Sequence, residues 1–347
     1  MTAAPDPARA ALVGAFLKEA GWGDAARYAV AADWSTRRYE RLHLNGATRI
    51  LMDAPEPWTA QAAAFARVAA ILRGAGLSAP AVEAVDAAQG LLICEDFGDA
   101  LFAKLLDGGE AAEPLYALAT DVLIHLRRAF DPAMGAGLPA WDADRFAGQV
   151  DLFAHRFVPA ATGQPLDSAA AAALMEAWWA VLPTAFRVPD GLLLRDYFPG
   201  NLMWLGERRG ILRCGILDFQ DAGIGPVTYD LLSLLEDARR DVPADLKAAM
   251  IARYLTAFPD QDAGDFAASF AVLGAVRHAR ILGRIAELAA EGRGTLLAYL
   301  PRVWGQFAEK LADPALLPLQ EWALAHLPGD GGAMGGVIAR IVGHSAP

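Results

Sequence analysis

Two short segments, LRDYFPGN at residues 194–201 and ILDFQDAGIG at residues 216–225, place carboxylates among apolar, strand-like residues. An isolated buried carboxylate is costly unless it is paired or bound to a metal, so these positions need an explanation. A Pro-Gly turn separates Asp196 from Asn201, and the chain then returns through a short hairpin whose turn lies near GERRG. The hairpin is expected to bring Asp218 beside Asn201, close to Asp196.

The three side chains have the chemistry of a magnesium-nucleotide site. Magnesium takes one or two carboxylates together with water and phosphate oxygens, which suits Asn201 and Asp218. Asp196 is then free to accept a proton from a substrate hydroxyl. An Asp before a Pro-Gly turn is ordinarily a cap or turn residue. The spacing of all three residues favours the chemical interpretation over that one.

Length and charge narrow the class of protein. A chain of 347 residues suits one bilobal unit or two domains. The net charge of −11 argues against a nucleic-acid partner, although a few local arginines still permit a phosphate ligand. Only Cys94 and Cys214 occur, too few for a disulfide framework or a cysteine-based zinc site. No obligate protein partner is implied.

The apolar segments predict no membrane attachment. The run SAAAAALMEAWWAVLPTAF is interrupted by Glu176 and Pro183, which favours a buried helix over a membrane span. The N-terminal residues lack the basic segment and long apolar core of a signal peptide. Together with the few cysteines, these features predict a cytoplasmic protein.

The order of elements predicts a small β-rich half followed by a larger helical half. Residues 7–20 are predicted to form a helix, with Leu12, Val13, Phe16 and Leu17 on one side. Two strand-like runs, TRRYERLHL and ATRILMDAP, are joined by Asn-Gly, a strong hairpin signal. A helix over 58–74 and the strands AVEAVD and GLLICED follow. Beyond them, the segment with the carboxylates is the one β-rich interruption of a helical sequence.

The pattern D-x-x-x-x-N followed by ILDF resembles the protein-kinase-like fold. The sequence DFQD, in place of D-F-G, and the following AGIGPVTYDLLSLL resemble the aminoglycoside phosphotransferase and choline kinase group of small-molecule kinases. The resemblance implies an α+β, protein-kinase-like bilobal fold with a small β-rich N-lobe and a larger, mostly helical C-lobe. We place the N-lobe at residues 1–97 and the C-lobe at 98–347.

The resemblance also implies roles for individual residues. Asp196 would be the catalytic base, and Asn201 and Asp218 would hold Mg²⁺ for a bound ATP. Arg195 precedes the base as in many kinases, and Asp230 would cap its helix and tie it to the catalytic loop. Leu194 stands where those kinases carry His, so that structural link is absent. The segment LLICEDFG would be the hinge, with backbone groups around Glu95 and Phe97 meeting adenine.

Two parts of the usual phosphate-binding machinery are missing. The segment DWSTRRYERL contains no glycine, and Met52 stands where the phosphate-binding Lys is expected. The following helix also lacks the Glu that would pair with this Lys, so no buried charge loses its partner. Arg37 and Arg38, with Ser35 as a hydroxyl or backbone contact, are the candidates for neutralising the phosphates. Arg37 and Arg38 could instead be solvated residues of a strand edge.

The sequences STRRYERL, LRDYFPGNLMWL, ILDFQDAGIG and LLSLLEDARRDV more narrowly resemble the anomeric N-acetylmuramate and N-acetylglucosamine kinases of peptidoglycan recycling. The predicted function is therefore ATP-dependent phosphorylation of a sugar hydroxyl, with Arg239, Arg277 and His278 as candidate substrate contacts. Each of the three could equally be a surface charge. Trp178 and Trp179 are expected in the core, and Glu236 and Asp237 at the surface or behind the site. Alternatives are a kinase of another small alcohol, such as an aminoglycoside or choline-like acceptor, and a nucleotide-binding pseudokinase.

Overall fold

A computed structural model describes residues 6–30, 37–327 and 341 of the chain. The chain forms two compact units, each assembled from two segments. The first comprises Met1–Ala136 and Leu194–Ala222, and the second comprises Gly137–Leu193 and Gly223–Pro347. The predicted carboxylate segment is therefore shared between the two units, since LRDYFPGN belongs to the first and the end of ILDFQDAGIG to the second.

Helices and strands are numbered in chain order. The helices are α1 Pro7–Glu19, α2 Ala60–Gly74, α3 Phe102–Asp107, α4 Ala112–Ala129, α5 Ala143–Gln149, α6 Val158–Thr162, α7 Ser168–Val181, α8 Tyr229–Leu235, α9 Ala244–Thr256, α10 Ala263–Ala290, α11 Leu300–Leu311 and α12 Leu317–His326. The strands are β1 Ala26–Val30, β2 Arg38–Leu44, β3 Ala47–Asp53, β4 Val82–Asp86, β5 Leu91–Glu95, β6 Asp190–Leu193, β7 Leu202–Trp204, β8 Cys214–Ile216 and β9 Gly223–Pro226.

The first unit contains a five-stranded antiparallel sheet in the order β1-β2-β3-β5-β4. Asn45 and Gly46 join β2 to β3 with φ angles of 50° and 81°. Both residue types tolerate the left-handed region that a two-residue hairpin turn requires. The predicted hairpin, the helix α2 and the strands β4 and β5 are confirmed.

Helix α1 covers one face of this sheet. Its apolar side chains form a buried cluster with Trp22 and with residues of β2, β3 and β5. The members are Val13, Phe16, Leu17, Trp22, Leu42, Leu51, Leu91 and Ile93. Leu12 is 42% exposed, so its predicted place on the buried side is wrong. A helix turns by about 100° per residue, which carries Leu12 away from the stripe formed by Val13, Phe16 and Leu17. Strand residues alternate between faces, so Met52 points away from the α1 cluster that Leu51 joins.

A short hairpin of β7 and β8 completes the part of the first unit that carries the carboxylates. Leu202 pairs with Ile216 and Trp204 with Cys214, and the turn between the strands includes the predicted GERRG. The backbone N–H of Ile216 donates to Ser78 O, and that of Trp204 donates to Ala100 O. These bonds attach the hairpin to the chain on either side of β4 and β5.

The second unit is mostly helical and surrounds the long helix α10. A two-stranded sheet pairs β6 with β9, with Asp190 opposite Pro226 and Leu193 opposite Gly223. Part of the sequence-predicted β island therefore belongs to this unit and does not extend the β7–β8 hairpin. Trp178 is wholly buried, whereas Trp179 is 43% exposed, so only the first of the two tryptophans lies in the core as predicted.

Among the residues that the structure describes, one stretch has the length and apolar composition to cross a membrane, Ser168–Phe186. A single stretch of this kind is weak evidence for a span, since buried helices of folded domains have the same composition. Here the stretch forms α7 and a following 3₁₀ turn. It packs within the second unit, where Trp322 Nε1 of α12 donates to Ala170 O.

The first unit extends beyond the predicted N-lobe. It includes α3, α4 and the β7–β8 hairpin, which the sequence assigned to the C-lobe. The β hairpin joins this unit because its edges bond to Ser78 and Ala100. The lobe boundary between residues 97 and 98 stays a prediction.

Candidate active site

The loop after β6 holds Asp196 through its own backbone. The Asp196 N–H donates to Leu194 O at 3.0 Å, and a 3₁₀ turn over Pro199–Asn201 follows. The Tyr197 hydroxyl donates to Ala119 O of α4 at 2.8 Å within the buried interior. Leu194, at the position of the usual kinase His, is itself 1% exposed. The loop is thus anchored by an apolar residue and by Tyr197, without a histidine.

The β7–β8 hairpin brings Asn201 and Asp218 together as predicted. Asn201 directly precedes β7 and Asp218 lies two residues after β8, and Leu217 N–H donates to Asn201 O at 2.9 Å. The Asn201 Nδ2 donates to Asp196 O at 2.9 Å and lies 3.4 Å from Asp218 Oδ2. One amide side chain therefore contacts both the loop of the candidate base and the candidate metal ligand.

Two site residues adopt backbone conformations that are uncommon for side-chain-bearing residues. Arg195 has a φ of 74° and Asp218 a φ of 57°. Such left-handed conformations cost a non-glycine residue roughly 1–2 kcal/mol, and they concentrate at functional sites. The strain falls on the residue before Asp196 and on Asp218 itself.

The Asp218 carboxylate is surrounded by donors. Arg37 Nη2 lies 2.8 Å from Oδ1, and Gln220 Nε2 lies 2.9 Å from the same oxygen. With Asn201 near Oδ2, the carboxylate has three neighbouring donors. The side chain of Asp218 nevertheless stays 33% exposed, so it can still be approached by a ligand.

Arg37 is the better placed of the two candidate phosphate-binding arginines. Its side chain is 12% exposed, and its guanidinium carbon lies 5.9 Å from the centre of the Tyr39 ring. Burial lowers the pKa of Arg37, but nearby Tyr39 and Asp218 raise it by more, so the pKa lies above its ordinary value. For Tyr39, burial acts in the other direction and raises the pKa to about 12. Arg37 is therefore a fixed positive charge beside Asp218.

The other predicted phosphate contacts have different surroundings. Arg38 begins β2 opposite Asp53 with an exposed side chain, and no ion pair of Arg38 occurs among the described residues. Met52 is 1% exposed and packs in the sheet as an ordinary apolar residue. Ser35 lies outside the described residues. The structure thus separates Arg37 from Arg38, which the sequence treated as equivalent.

Glu95, in the predicted hinge, is bonded to Arg208 and to the backbone of Ala81. The Glu95 carboxylate accepts from Arg208 and, at 3.2 Å, from Ala81 N–H, and its own N–H donates to Ala81 O. A cavity of about 800 Å³ lies beside it, lined partly by Arg49 and Arg208. Both the side chain and the N–H of Glu95 are therefore already bonded within the protein.

Phe97 is fixed against the β7–β8 hairpin. A Cβ atom on Gly215 would lie 2.7 Å from the Phe97 ring, and the Arg208 guanidinium lies 5.0 Å from the centre of that ring. A side chain at position 215 would displace the Phe97 ring, and glycine avoids this clash. Phe97 thus connects the predicted hinge to the hairpin that carries Asn201 and Asp218.

Sequence reasoning missed two contributors in the DFQD segment. Gln220 bonds to Asp218, and Asp221 Oδ2 accepts from Arg195 Nη1 at 2.6 Å. Arg195 also lies 3.9 Å from Asp196 Oδ2. The supporting role predicted for Arg195 therefore has a specific candidate partner in Asp221. The signal available in the sequence was the pair of polar residues, Gln220 and Asp221, that directly follows Phe219.

The predicted substrate contacts Arg239, Arg277 and His278 all lie in the second unit. Arg239 is 41% exposed in its side chain and 3.5 Å from Asp237. Arg277 and His278 are 3% and 0% exposed, so the alternative that α10 merely displays them to solvent is wrong. Arg277 stacks over the Tyr229 ring at 5.8 Å. Of the three, Arg239 is the one with an accessible charge.

His278 belongs to a buried charged cluster. Its Nε2 lies 2.7 Å from Glu236 Oε2, and Lys310 Nζ lies 2.5 Å from the other Glu236 oxygen. Burial raises the pKa of Glu236, but His278 and Lys310 outweigh it and hold the pKa at about 2. Burial lowers the pKa of His278. The cluster is therefore an ionised Glu236 that accepts from a neutral His278 and pairs with Lys310.

The structure decides two expectations around α8. Glu236 and Asp237 are each 2% exposed, which excludes the surface and leaves a place behind the site as the remaining alternative. Helix α8 ends at Leu235, so Arg239 lies outside it. Thr228 occupies the N-cap position of α8, with buried Asp230 in the first turn. Asp230 does not cap the helix, although a carboxylate there complements the helix dipole.

No group of three or more His, Cys, Asp or Glu side chains that could hold a metal occurs within the described ranges. The pair of Asp218 and Asn201 still fits a magnesium ion that is shared with phosphates. It supplies one carboxylate and one amide oxygen, and the remaining positions go to phosphate oxygens and water.

Known proteins share sequence and fold with this chain. The profile of the phosphotransferase enzyme family matches residues 28–267. The N-acetylmuramate/N-acetylglucosamine kinase of Caulobacter vibrioides is 37% identical, covering 92% of this chain and 97% of that protein. The protein of the same name from Pseudomonas aeruginosa is 32% identical, covering 89% of this chain and 91% of that protein.

Solved structures agree on the fold. The aminoglycoside phosphotransferase APH(2'')-Ib bound to ADP superposes with a TM-score of 0.56 at 13% identity, covering 98% of this chain and 99% of that one. The GDP complex of wild-type aminoglycoside 2'-phosphotransferase-IIIa gives 0.58 at 13% identity, covering 87% and 98%. The predicted α+β kinase-like fold, with an antiparallel sheet and a larger helical part, is confirmed.

Proposed function

Because the chain belongs to the phosphotransferase enzyme family and is an ATP-dependent small-molecule kinase, we propose that it phosphorylates the anomeric hydroxyl of N-acetylmuramate and N-acetylglucosamine. The observation that carries the choice of acceptor is the 37% identity, over nearly the whole of both chains, to a kinase named for these two sugars. The product would be a sugar 1-phosphate for peptidoglycan recycling.

We assign the role of base to Asp196. Its backbone is held by Leu194 and by the Asn201 amide, which fixes the position of the residue in the loop. The side chain is 24% exposed and can meet a substrate hydroxyl. An anomeric hydroxyl is more acidic than an ordinary alcohol, so a carboxylate can accept its proton as the hydroxyl oxygen attacks the terminal phosphorus of ATP; the bond from that phosphorus to the bridging oxygen breaks and ADP leaves.

Asn201 and Asp218 would hold Mg²⁺, and the ion would supply positive charge to offset the negative charge that develops on the phosphates during transfer. Asp218 contributes a carboxylate and Asn201 an amide oxygen, with the Asn201 Nδ2 directed to Asp196 O at 2.9 Å. This contact links the metal ligand to the loop of the base. The reaction then depends mainly on positioning and on charge neutralisation.

We assign to Arg37 the role of balancing the phosphate charge, which a Lys on β3 balances in other kinases. Met52 occupies the Lys position and is buried, so it supplies no charge. Arg37 lies 2.8 Å from Asp218 and is held by Tyr39, which places a guanidinium next to the metal ligand. A guanidinium binds phosphate oxygens in a two-pronged manner. Backbone groups after Glu95, near Phe97, are left to contact adenine.

For the acceptor, we assign Arg239 as a contact for the carboxylate of N-acetylmuramate, because its charge is accessible. Arg277 and His278 would act behind the pocket, given their burial. Discrimination would rest on hydrogen bonds to the N-acetyl group, since a site built for such bonds rejects analogues that leave its groups unbonded. Glucose is then a poor substrate. We further propose that the reaction takes place in the cytoplasm, where the free Cys94 and Cys214 stay reduced.

The test is ATP consumption with Mg²⁺ across a panel of N-acetylmuramate, N-acetylglucosamine, glucose, choline and an aminoglycoside, followed by phosphorus NMR of the product. We expect turnover on the two N-acetyl sugars, with the coupling pattern of a 1-phosphate. Phosphate at C6, or activity only on amino alcohols, contradicts the proposed acceptor. Nucleotide binding without turnover on any acceptor would instead identify a pseudokinase.

The base assignment is tested separately with Asp196→Asn. Turnover should fall by about two to four orders of magnitude, the usual worth of a positioned base. The affinity for Mg-ATP should change little, because Asp196 is not assigned to the metal. Near-normal turnover would exclude Asp196 as the base.

A further inference from the structure

Arg37 and Asp218 form an ion pair between residues 181 positions apart in the sequence. Arg37 Nη2 lies 2.8 Å from Asp218 Oδ1, and the Arg37 side chain is 12% exposed. The guanidinium is held over Tyr39, whose ring centre lies 5.9 Å away. The positive charge that precedes β2 is therefore fixed against the carboxylate assigned to the metal.

This contact changes what Asp218 offers to a divalent cation. Oδ1 accepts from both Arg37 and Gln220, and the amide of Asn201 lies 3.4 Å from Oδ2. A cation can still approach the 33% exposed carboxylate, but it then shares Asp218 with these donors and comes close to a guanidinium of the same sign. Like charges at such distances oppose binding, and the 12% exposure of Arg37 limits the screening of this repulsion by water.

We propose that Arg37 and the divalent cation compete for Asp218, and that nucleotide phosphates relieve this competition by accepting the Arg37 guanidinium. Arg37 would then set the order of binding, because the metal enters efficiently only together with a nucleotide. The inference rests on the proposed metal role of Asp218 and extends it. It goes beyond phosphate binding, because it predicts that removing Arg37 strengthens the binding of metal alone.

The chemistry of the side chain permits this exchange of partners. A guanidinium pairs equally well with a carboxylate and with phosphate oxygens. Met52 leaves no Lys charge at the usual position, so the phosphates lack that partner. Arg38 provides an internal comparison, since it is the next residue and has the same charge. Its side chain is exposed, and it has no ion pair with any described residue.

The experiment measures binding of Mn²⁺, as a probe for the divalent cation, by the electron paramagnetic resonance signal of free Mn²⁺. The wild type is compared with Arg37→Gln, Arg37→Lys, Arg38→Gln and Asp218→Ala. We expect Arg37→Gln to bind Mn²⁺ alone at least about tenfold more tightly, by analogy with the effect of one adjacent charge on proton binding. Arg37→Lys keeps the charge and should resemble the wild type, as should Arg38→Gln.

A second titration follows binding of a non-hydrolysable ATP analogue in the presence of Mn²⁺ by calorimetry. Arg37→Gln should bind this complex more weakly than the wild type, by about tenfold, because the phosphates lose their cation. The opposite directions of the two effects are specific to an exchange of partners. A variant that had simply lost structure would bind both ligands more weakly, and a thermal melt identifies it.

The outcomes separate this inference from the proposed function. If Asp218→Ala removes Mn²⁺ binding and Arg37→Gln leaves it unchanged or weaker, the metal site stands and the competition is refuted. If Asp218→Ala binds Mn²⁺ as well as the wild type, Asp218 is not the metal ligand and the proposed metal site itself fails. Tighter Mn²⁺ binding by Arg38→Gln would also refute the inference, because the effect would then reflect overall charge.

Discussion

The buried His278 should make the stability of the protein fall as the pH drops from 7.5 to 5.5. Its side chain is 0% exposed, and burial lowers its pKa from the ordinary value of 6.5 even though Glu236 accepts from its Nε2. Below pH 6.5 the unfolded chain therefore takes up a proton at this position that the folded chain does not. Protons then favour unfolding, and the stability present above the unfolded pKa is lost as the pH falls.

The size of the effect follows from the unfolded pKa. If His278 stays neutral in the folded protein, one histidine contributes about 1.4 kcal/mol of lost stability between pH 7.5 and 5.5, since each pH unit below 6.5 adds about 1.36 kcal/mol. Glu236 does not obscure the measurement. Its folded pKa is about 2 and its ordinary value is 4.5, so it stays ionised in both states above pH 5.5. Its own contribution is lost only as the pH falls from about 4.5 towards 2.

Urea unfolding at the two pH values measures the change for the wild type, His278→Gln and His155→Gln. Glutamine keeps a donor for Glu236 but does not titrate, so His278→Gln should lose about 1.4 kcal/mol less between the two pH values than the wild type. His155 is the matched control, since its side chain is 66% exposed. His155→Gln should keep most of the wild-type pH dependence. An unchanged pH dependence in His278→Gln would refute the reasoning.

Further substitutions test the hairpin and the loop. Asp218→Ala should abolish metal-dependent nucleotide binding in a calorimetric titration more severely than Asn201→Ala, because a carboxylate is the stronger ligand for a hard cation; equally tight binding by the Asp218 variant would contradict this. Gly215→Ala places a Cβ 2.7 Å from the Phe97 ring and should lower the free energy of unfolding in urea by about 1–3 kcal/mol. An unchanged unfolding midpoint would show that the ring moves away freely. Tyr197→Phe removes the 2.8 Å hydrogen bond from the hydroxyl to a backbone carbonyl of α4 and should cost about 0.5–1.5 kcal/mol in urea unfolding, whereas a neutral substitution would show that this bond adds no stability.

Local chemistry made much of the first unit predictable. The Asn45-Gly46 turn, the helices α1 and α2 and the strands β2 to β5 follow from periodicity and turn residues that act over a few positions. The proximity of Asn201 and Asp218 was also predictable, because a short hairpin between them leaves few arrangements. The roles assigned to these two residues and to Asp196 stay predictions for the experiments above.

Local sequence patterns did not predict which charged residues are buried. The charged residues Arg277 and His278 lie on a helix whose sequence resembles an amphipathic surface helix, yet they are 3% and 0% exposed. Whether a charge is buried depends on which partners other elements supply. For His278 these partners are Glu236 after α8 and Lys310 on α11, residues 42 positions or less away from it.

The sequence by itself determined the elements, the hairpin and the residue types of the candidate site, because these depend on neighbours in the chain. Only the tertiary structure separated Arg37 from Arg38. Both are arginines in one short segment, but just one reaches Asp218, 181 residues away, at 2.8 Å. It also gave Arg195 its partner Asp221 and fitted Phe97 against Gly215. Such pairings are contacts between distant segments, and their distances are set by how the sheet, the loop and the hairpin pack together.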